Sequence, residues 1–296
     1  MIDHAALFDP TALVTRSPVE IRQTYSFRDT ILYALGIGAG GGADQRSELR
    51  YVYEDGLQSL PTMAVVLAAP GFWYRDRQYG IAWQKVLHAE QSVYFHQSLP
   101  VEGEVCSQFR ISAVYDKGAD KGALIYTERT LMDSSTGTLL ASIRQGTFLR
   151  GNGGCKTVAD RPAPAPHLVP VDRPCDLSLS LPTRPEQALI YRLSGDYNPL
   201  HVDPDIAIAA GLPKPILHGL ATYGMAGRAA LQALCGSGKL RLKRLDVRFS
   251  NPVFPGETIR FDIWHTADGR ASFQATVVER SVLVLSNGYV EYGTAE

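Results

Sequence analysis

The sequence predicts an α+β fold built from two similar units that a proline-rich linker joins. In each half of the chain, segments with strand character accompany a helical segment, which is typical of an α+β layer. Six prolines dominate residues 151–184, and the two halves share short matching stretches in the same order. We therefore predict a first domain at residues 1–150, a linker at 151–185 and a second domain at 186–296.

Composition and charge exclude several classes of protein. The 296 residues are 45% apolar, which is enough for the cores of two ordinary domains. A net charge of −1 predicts binding neither to nucleic acid nor to a membrane surface. The four cysteines have no C-x-x-C spacing and read as free thiols. With no signal-peptide pattern at the start and no peroxisomal address in the final Gly-Thr-Ala-Glu, we expect a cytoplasmic protein.

The first unit is predicted to begin with a strand-bearing segment over residues 1–24 and a helix from Phe27 to Leu35. An apolar stretch from Leu60 to Trp73 follows. Turn signals such as Asp116-Lys117-Gly118 then separate segments with strand character. These strands are Tyr79 to Phe95, Gly103 to Tyr115, Ala123 to Asp133 and Leu139 to Arg150.

A glycine run from Gly36 to Gly42 formally contains the G-x-G-x-x-G pattern of dinucleotide-binding proteins. In those proteins the pattern follows a strand and opens a helix. Here it follows a helical segment and leads into the polar residues Asp44, Gln45 and Arg46. We therefore interpret the run as a helix end or a flexible loop, and we expect no dinucleotide to bind.

The second unit is predicted to begin near Glu186 and to contain a buried helix. From Leu220 to Cys235 the chain is uncharged except for Arg228, so this helix lacks the polar stripe of a surface helix. The Asp268-Gly269 pair is a hairpin signal between two of the strands that follow. The predicted strands are Lys239 to Phe249, Glu257 to Thr266, Arg270 to Arg280 and Val282 to Tyr292.

A short turn in the second unit brings together groups suited to acid–base chemistry. Asp196, Asn198 and His201 lie within six residues, and Pro199 stiffens the chain between them. General acid–base catalysis needs a carboxylate and an imidazole within reach of one reacting water. The same residue types also make ordinary turns, so the pair alone favours structure over function. The helix that starts near Gly219 adds free backbone N–H groups, which can stabilise an oxyanion.

The segment Ser-Gly-Asp-Tyr-Asn-Pro-Leu-His-Val-Asp, followed by Pro-Ile-Leu-His-Gly, resembles the type 2 (R-specific) enoyl-CoA hydratase motif of MaoC-like proteins. The resemblance implies a double hot-dog fold, in which each of two antiparallel sheets wraps a buried helix. It also implies that Asp196 and His201 are catalytic, that Asn198 supports them and that Gly219 donates to the thioester carbonyl. A coenzyme A thioester is then the substrate, and no cofactor is expected.

The two halves of the chain form a degenerate repeat. Tyr33, Pro61 and Gly103 align with Tyr191, Pro215 and Gly256, with offsets of 158, 154 and 153. The first half lacks the chemistry, because small residues (Gly38, Ala43 and Ala64) stand near the positions of Asp196, His201 and His218. One unit is then catalytic and its partner is not. Chance similarity is the alternative.

Several assignments remain open on the sequence alone. Met63 and Val65, next to a mobile glycine run, are predicted to line a tunnel for medium or long acyl chains, although a closed first half would admit only short ones. His218 is a candidate substrate contact. Arg244 and Arg248 are candidate ligands of the CoA phosphates, or else ordinary strand charges.

Other activities and partners also stay open. A thioesterase or a non-catalytic acyl-CoA-binding protein on the same fold are the competing functions. The scattered histidines have no metal-ligand spacing, so no metal site is predicted. Acyl-CoA is the expected partner, and we expect the chain to form a homodimer of double hot-dog units.

Overall fold

The computed structural model of the protein describes residues 7–41, 45–236 and 240–294. Within these ranges, ten strands form one antiparallel sheet. The strands are β1 (Val19–Tyr25), β2 (Val86–Phe95), β3 (Gly103–Asp116), β4 (Ala123–Asp133), β5 (Leu139–Leu149), β6 (Leu177–Pro182), β7 (Leu240–Phe249), β8 (Thr258–Ala267), β9 (Arg270–Val277) and β10 (Val282–Thr294). The α-helices are α1 (Pro10–Val14), α2 (Phe27–Gly36), α3 (Gln45–Glu48), α4 (Gln187–Tyr191), α5 (Pro204–Ala209) and α6 (Gly219–Ala230).

The order of the strands shows the predicted repeat directly. The sheet runs β1-β3-β4-β5-β2 and continues β7-β10-β9-β8-β6, so the second half mirrors the first. The halves meet where β2 pairs with β7, and Ser92 lies opposite Asp246 there. A two-fold axis brings equivalent positions together in this way. The predicted α+β double hot-dog fold, with the two sheets joined edge to edge, is confirmed.

Helix α6 is the buried centre of the second half. All of its residues from Ala221 to Ala230 are buried, which explains why the sequence shows no polar stripe. It continues as one π-helical turn over Leu231–Cys235. Arg228 is the one charged residue of this helix, and it is buried like its neighbours. Its guanidinium pairs with Glu48 and donates to the carbonyl of Ile37 at 2.7 Å.

The first half has much less helix at the equivalent place. Pro61–Val65 forms only a five-residue 3-10 helix, although it is also buried. The buried guanidinium of Arg129 donates to the carbonyls of Ala64 and Val65 at 3.2 and 2.9 Å, and also to that of Leu67. These bonds satisfy carbonyls that a continued helix would have used itself. The repeat is therefore asymmetric in its helices although it is symmetric in its sheet.

The glycine run is packed rather than mobile over the residues that can be described. Gly38 and Gly40 have positive φ angles and turn the chain after α2. Ile37 and Ala39, on either side of Gly38, are fully buried. The predicted mobile wall is therefore wrong for residues 36–41, because tertiary packing fixes them. Ala43, the predicted counterpart of His201, lies outside the described residues.

Two predicted boundaries differ from the structure, and a third cannot be compared with it. The predicted linker is too long, because Leu177–Pro182 forms the edge strand β6 against β8. Proline is tolerated there at the strand end. The strand predicted from Tyr79 begins only at Val86, since short 3-10 turns precede it. Lys239, the predicted start of β7, lies outside the described residues. Among the described helices, none has the length and apolarity to cross a membrane.

Candidate active site

The turn from Asp196 to His201 is held by its own side chains. Asp196 Oδ1 accepts from the N–H of Asn198 at 3.2 Å, and Asn198 Oδ1 accepts from the N–H of Leu200 at 3.2 Å. Asn198 thereby caps the 3-10 helix Pro199–His201, whose first residue is proline. Asn198 is predicted to support the pair, and this cap gives a physical reason: it fixes the conformation of the turn that carries Asp196 and His201.

His201 is oriented by a backbone carbonyl. Its Nδ1 lies 2.8 Å from the carbonyl oxygen of Ile216, so Nδ1 carries the proton and Nε2 presents a lone pair. Burial lowers the pKa of His201, and the nearby Asp196 carboxylate opposes that shift. His201 is therefore neutral near pH 7, in the tautomer of a proton acceptor at Nε2.

His218 supports His201 from behind. The two rings stack with centroids 3.7 Å apart and planes 26° apart. Its Nε2 lies 3.1 Å from the backbone carbonyl oxygen of Asp196, to which it donates. Burial, and then the neighbouring His201, lower the pKa of His218 to about 2. His218 thus stays neutral and ties the Asp196 turn to the start of α6.

Asp196, His201 and His218 form a compact cluster that could be taken for a metal site. One ligand atom of each lies within 4.8 Å of those of the other two. Two imidazoles bind one ion when their in-plane lone pairs converge on it. The rings of His201 and His218 are stacked and nearly parallel, so their lone pairs run side by side. This geometry favours acid–base chemistry over a metal, and the absence of a metal stays a prediction.

Gly219 lies at the head of α6, next to the pair. It is the first residue of the helix, so its N–H has no intrahelical acceptor. A Cβ atom on Gly219 would meet the ring of Phe249 at 3.4 Å. An N–H at the positive end of a buried helix suits an oxygen that gathers negative charge.

His88, from the first half, also reaches this site, and sequence reasoning missed it. Its ring contacts Phe249, with centroids 4.6 Å apart, and its Nε2 lies 3.2 Å from the carbonyl oxygen of Glu90. Burial lowers the pKa of His88 to about 4, and the carboxylate of Asp196 acts in the opposite direction. An irregularity in the pairing of β2 with β5 falls between His88 and Glu90, where a bulge re-aims the side chain. No local pattern in the sequence signals this.

The predicted phosphate ligands are not brought to the site. Arg244 binds Asp246 at 2.6 Å, and Arg248 binds Glu90 at 2.7 Å. Both point to the face of β7 opposite that of the buried Leu245 and Val247. The structure thus favours ordinary strand charges that carboxylates already neutralise. The phosphate-ligand assignment stays a prediction.

The predicted tunnel residues Met63 and Val65 lie in the shared core. They are 2% and 4% exposed and belong to the 3-10 helix Pro61–Val65, which packs against α6. Tyr191 is buried, and its ring lies 4.9 Å from that of His218. Tyr197 is 61% exposed.

Two family models match the two halves of the chain. The MaoC-like domain matches residues 167–287, and the MFE-2 hydratase 2 N-terminal domain matches residues 23–151. The first contains the Asp196 turn and α6. The second begins within β1 and covers β2 to β5.

Individual relatives match nearly the whole chain. A 3-hydroxyacyl-thioester dehydratase Y of Mycobacterium tuberculosis is 41% identical over 90% of this chain and 92% of its own. A peroxisomal enoyl-CoA hydratase 2 of Arabidopsis thaliana is 36% identical over 96% of this chain and 95% of its own. The crystal structure of a MaoC-like dehydratase from Phytophthora capsici superposes with a TM-score of 0.83, at 33% identity, covering 96% of this chain and 98% of that one.

Proposed function

The chain belongs to the family of MaoC-like enoyl-CoA hydratases 2, and from this premise we propose that it catalyses the reversible hydration of a trans-2-enoyl-CoA to the (R)-3-hydroxyacyl-CoA. The protein is then a hydro-lyase of fatty acid metabolism. The observation that carries the proposal is the orientation of His201 beside Asp196. A carboxylate oxygen of Asp196 and a ring nitrogen of His201 lie within 4.8 Å of each other, and His218, which stacks on His201, directly precedes Gly219 at the start of α6.

The two acceptors explain how water would be activated. A water molecule can donate one proton to the Asp196 carboxylate and the other to Nε2 of His201. Its oxygen lone pair is then left for attack at C3 of the enoyl group. As the new C–O bond forms, one of the two groups takes a proton from the water. A proton is then delivered to C2, so that the elements of water add across the double bond.

Gly219 would stabilise the charge that this addition creates. Electrons displaced from the double bond gather on the thioester oxygen. The N–H of Gly219 and the positive end of α6 stabilise that charge without rearrangement. His218 and Asn198 contact the residues of the pair, and we assign them the role of positioning residues.

The test is to follow loss of the enoyl absorbance and release of free thiol in parallel on purified protein. A hydratase consumes the enoyl group and releases no thiol. A thioesterase releases thiol, and a binding protein does neither. Thiol release that accounts for all of the substrate consumed would overturn the proposal.

Three finer points belong to the same proposal. We infer that medium or long acyl chains bind along Met63 and Val65, that two chains form a homodimer and that the protein acts in the cytoplasm. Relatives with hydratase names include a peroxisomal one, so the compartment needs its own measurement by fractionation. Light scattering of the purified protein tests the dimer, and a monomer mass would exclude it.

A further inference from the structure

Behind the catalytic pair lies a group of buried polar atoms that the mechanism does not use. Four of them have no hydrogen-bond partner within the described part of the chain. They are the hydroxyls of Tyr33, Thr62 and Tyr191, and Nδ1 of His218. Each of these four residues is only 1% exposed. A buried polar group without a partner destabilises the folded state, so such a cluster needs an explanation.

The four residues follow one another away from the catalytic pair. His218 stacks on His201, and the ring of Tyr191 lies 4.9 Å from that of His218. The ring of Tyr33 lies 6.0 Å from that of Tyr191. The Thr62 hydroxyl is near enough to Tyr33 to oppose the rise in its pKa that burial causes, although the two oxygens do not meet in hydrogen-bond geometry.

The series runs along the seam between the halves. Tyr33 belongs to α2 and Thr62 to the 3-10 helix of the first half, whereas Tyr191 ends α4 of the second. Glycines of α6 allow the approach, since a Cβ on Gly224 would lie 2.9 Å from the Tyr33 hydroxyl oxygen. On Gly227 it would lie 3.5 Å from Oγ1 of Thr62.

The chemistry of these atoms suits water. Burial raises the pKa of Tyr33 and of Tyr191, so both remain neutral hydroxyls that can donate and accept. Nδ1 of His218 is an acceptor, because Nε2 carries the proton given to Asp196. Buried waters usually make about three hydrogen bonds to groups that would otherwise lack partners.

We propose that His218, Tyr191, Tyr33 and Thr62 line a buried water-binding site behind the catalytic pair, through which the water of the reaction is exchanged. The inference rests on the proposed hydration. A hydratase needs one water in each turnover, and the proposal requires that the bound acyl-CoA closes the front of the site. A rear site between the halves supplies water in hydration and receives it in dehydration.

Single-atom variants test the site. Tyr191→Phe, Tyr33→Phe and Thr62→Val each remove a hydroxyl and keep the shape of the side chain. We expect each to lose kcat severalfold in both directions of the reaction, with KM unchanged, and to lower Tm. Thr62→Ser keeps the hydroxyl and is expected to retain kcat.

Tyr223→Phe is the matched control. Tyr223 is also fully buried, but its hydroxyl donates to the carbonyl of Leu245 at 3.1 Å. This variant is expected to lower Tm and leave kcat unchanged. A crystal structure of the wild-type protein should in addition show ordered water within hydrogen-bond distance of the Tyr191 and Tyr33 hydroxyls.

The results that would contradict the proposal can be distinguished from one another. If the cluster is dry, Tyr191→Phe and Tyr33→Phe raise Tm, because they remove unpaired hydroxyls. Unchanged kcat, or an effect confined to KM, means that the hydroxyls are structural or contact the acyl chain, and either overturns the proposal. A wild-type protein without hydration activity refutes the proposed function instead, while the Tm values and the solvent density still decide whether water binds.

Discussion

At the scale of single residues, two backbone carbonyls decide the chemistry of the site. The carbonyl of Ile216 fixes the tautomer of His201, and that of Asp196 fixes the tautomer of His218. Burial then keeps both rings neutral, as their lowered pKa values indicate. In a flexible exposed turn, a histidine beside an aspartate would have neither a fixed tautomer nor a lowered pKa.

The first prediction concerns that pair. Asp196→Asn and His201→Ala should each lower kcat/KM for hydration by about a hundredfold or more, the usual contribution of a positioned acid or base. The assay is the loss of enoyl absorbance. Asp205→Asn and His265→Ala change the same residue types at exposed positions and should retain activity. A near-normal rate in either site variant would remove that residue from the mechanism.

A second prediction isolates the N–H of Gly219. Gly219→Pro removes this donor, and the helix tolerates it because proline fits the first helical position. His218, with φ −58° and ψ 136°, has the conformation required before a proline. We expect kcat to fall by about 10²- to 10³-fold, as when one oxyanion donor is lost.

The control for this change is Gly219→Ala. It keeps the N–H and places a methyl group at an ordinary 3.4 Å from Phe249. Its kcat should stay well above that of Gly219→Pro, and circular dichroism should show both folded. Equal losses in the two variants would mean that bulk, rather than the donor, matters at this position.

The third prediction is the pH dependence of stability. Folding lowers the pKa of His88 to about 4 and that of His218 to about 2, from about 6.5 in the unfolded chain. Below pH 6.5 the unfolded state therefore binds more protons, so stability is complete above that pH and is lost as the pH falls. Each histidine contributes a slope of about 1.4 kcal/mol per pH unit in its window.

Urea unfolding at several pH values between 7 and 4 measures that slope. His88→Gln should remove the contribution of one proton, over the interval from about 6.5 to about 4. If the wild type and His88→Gln lose stability in parallel, His88 is not held neutral by the fold.

At the scale of elements, α6 depends on its small residues. A Cβ on Gly227 would lie 2.4 Å from Cγ2 of Thr62, and β-branched Thr62 has little freedom to move away. The close packing of α6 against the 3-10 helix Pro61–Val65 therefore requires glycine. Helix propensity alone would favour alanine by about 1 kcal/mol.

The fourth prediction follows from these two opposing effects. Gly227→Ala should lower the free energy of unfolding by up to about 2 kcal/mol, because overpacking costs about 1–3 kcal/mol and the better helix propensity of alanine offsets about 1 kcal/mol of that. Chemical denaturation measures it. Gly219→Ala, in the same helix without a close contact, is the control and should be near neutral. An increase in stability for Gly227→Ala would show that the Thr62 side chain can move away from the added methyl group.

The elements also show what the sequence could predict. Strands β3, β4 and β5 and helix α6 were predicted closely, because periodicity and turn residues are local signals. The turn around Asp196 was found from its spacing and its family resemblance. His88 was not, since its position depends on a strand irregularity and on contact between the halves. The ion pair between Arg228 of α6 and Glu48 was not predicted either, because it also depends on contact between the halves.

At the scale of the whole molecule, the two-fold relation between the halves places the site. Equivalent residues meet at the seam, as Tyr33 does with Tyr191, and Ser92 with Asp246, where the two side chains bond at 2.5 Å. His167 of the linker also bonds Asp246, at 3.1 Å, and so fastens the linker to this seam. The proposed catalytic residues come from the second half, and His88 and Tyr33 of the first half pack close to them.

The last prediction depends on the difference in helix length between the two halves. Where the second half has the twelve residues of α6, the first has the five of Pro61–Val65, and Arg129 holds the chain beyond them. We propose that a helix that stops after five residues leaves room along α6 for an acyl chain beside Met63. Each buried methylene contributes about 0.8 kcal/mol. We therefore expect kcat/KM to rise from four-carbon to medium-length enoyl-CoAs.

Measuring kcat/KM from four to sixteen carbons decides this point, and Met63→Phe sharpens it. A larger side chain in a tunnel should reduce kcat/KM for long chains and leave the four-carbon substrate nearly unaffected. If Met63 belongs only to a closed core, overpacking instead destabilises the protein and affects every chain length alike. A steady fall beyond four carbons in the wild type would end the tunnel hypothesis. It would leave the fold and the hydration chemistry intact, because Asp196, His201 and Gly219 all belong to the second half.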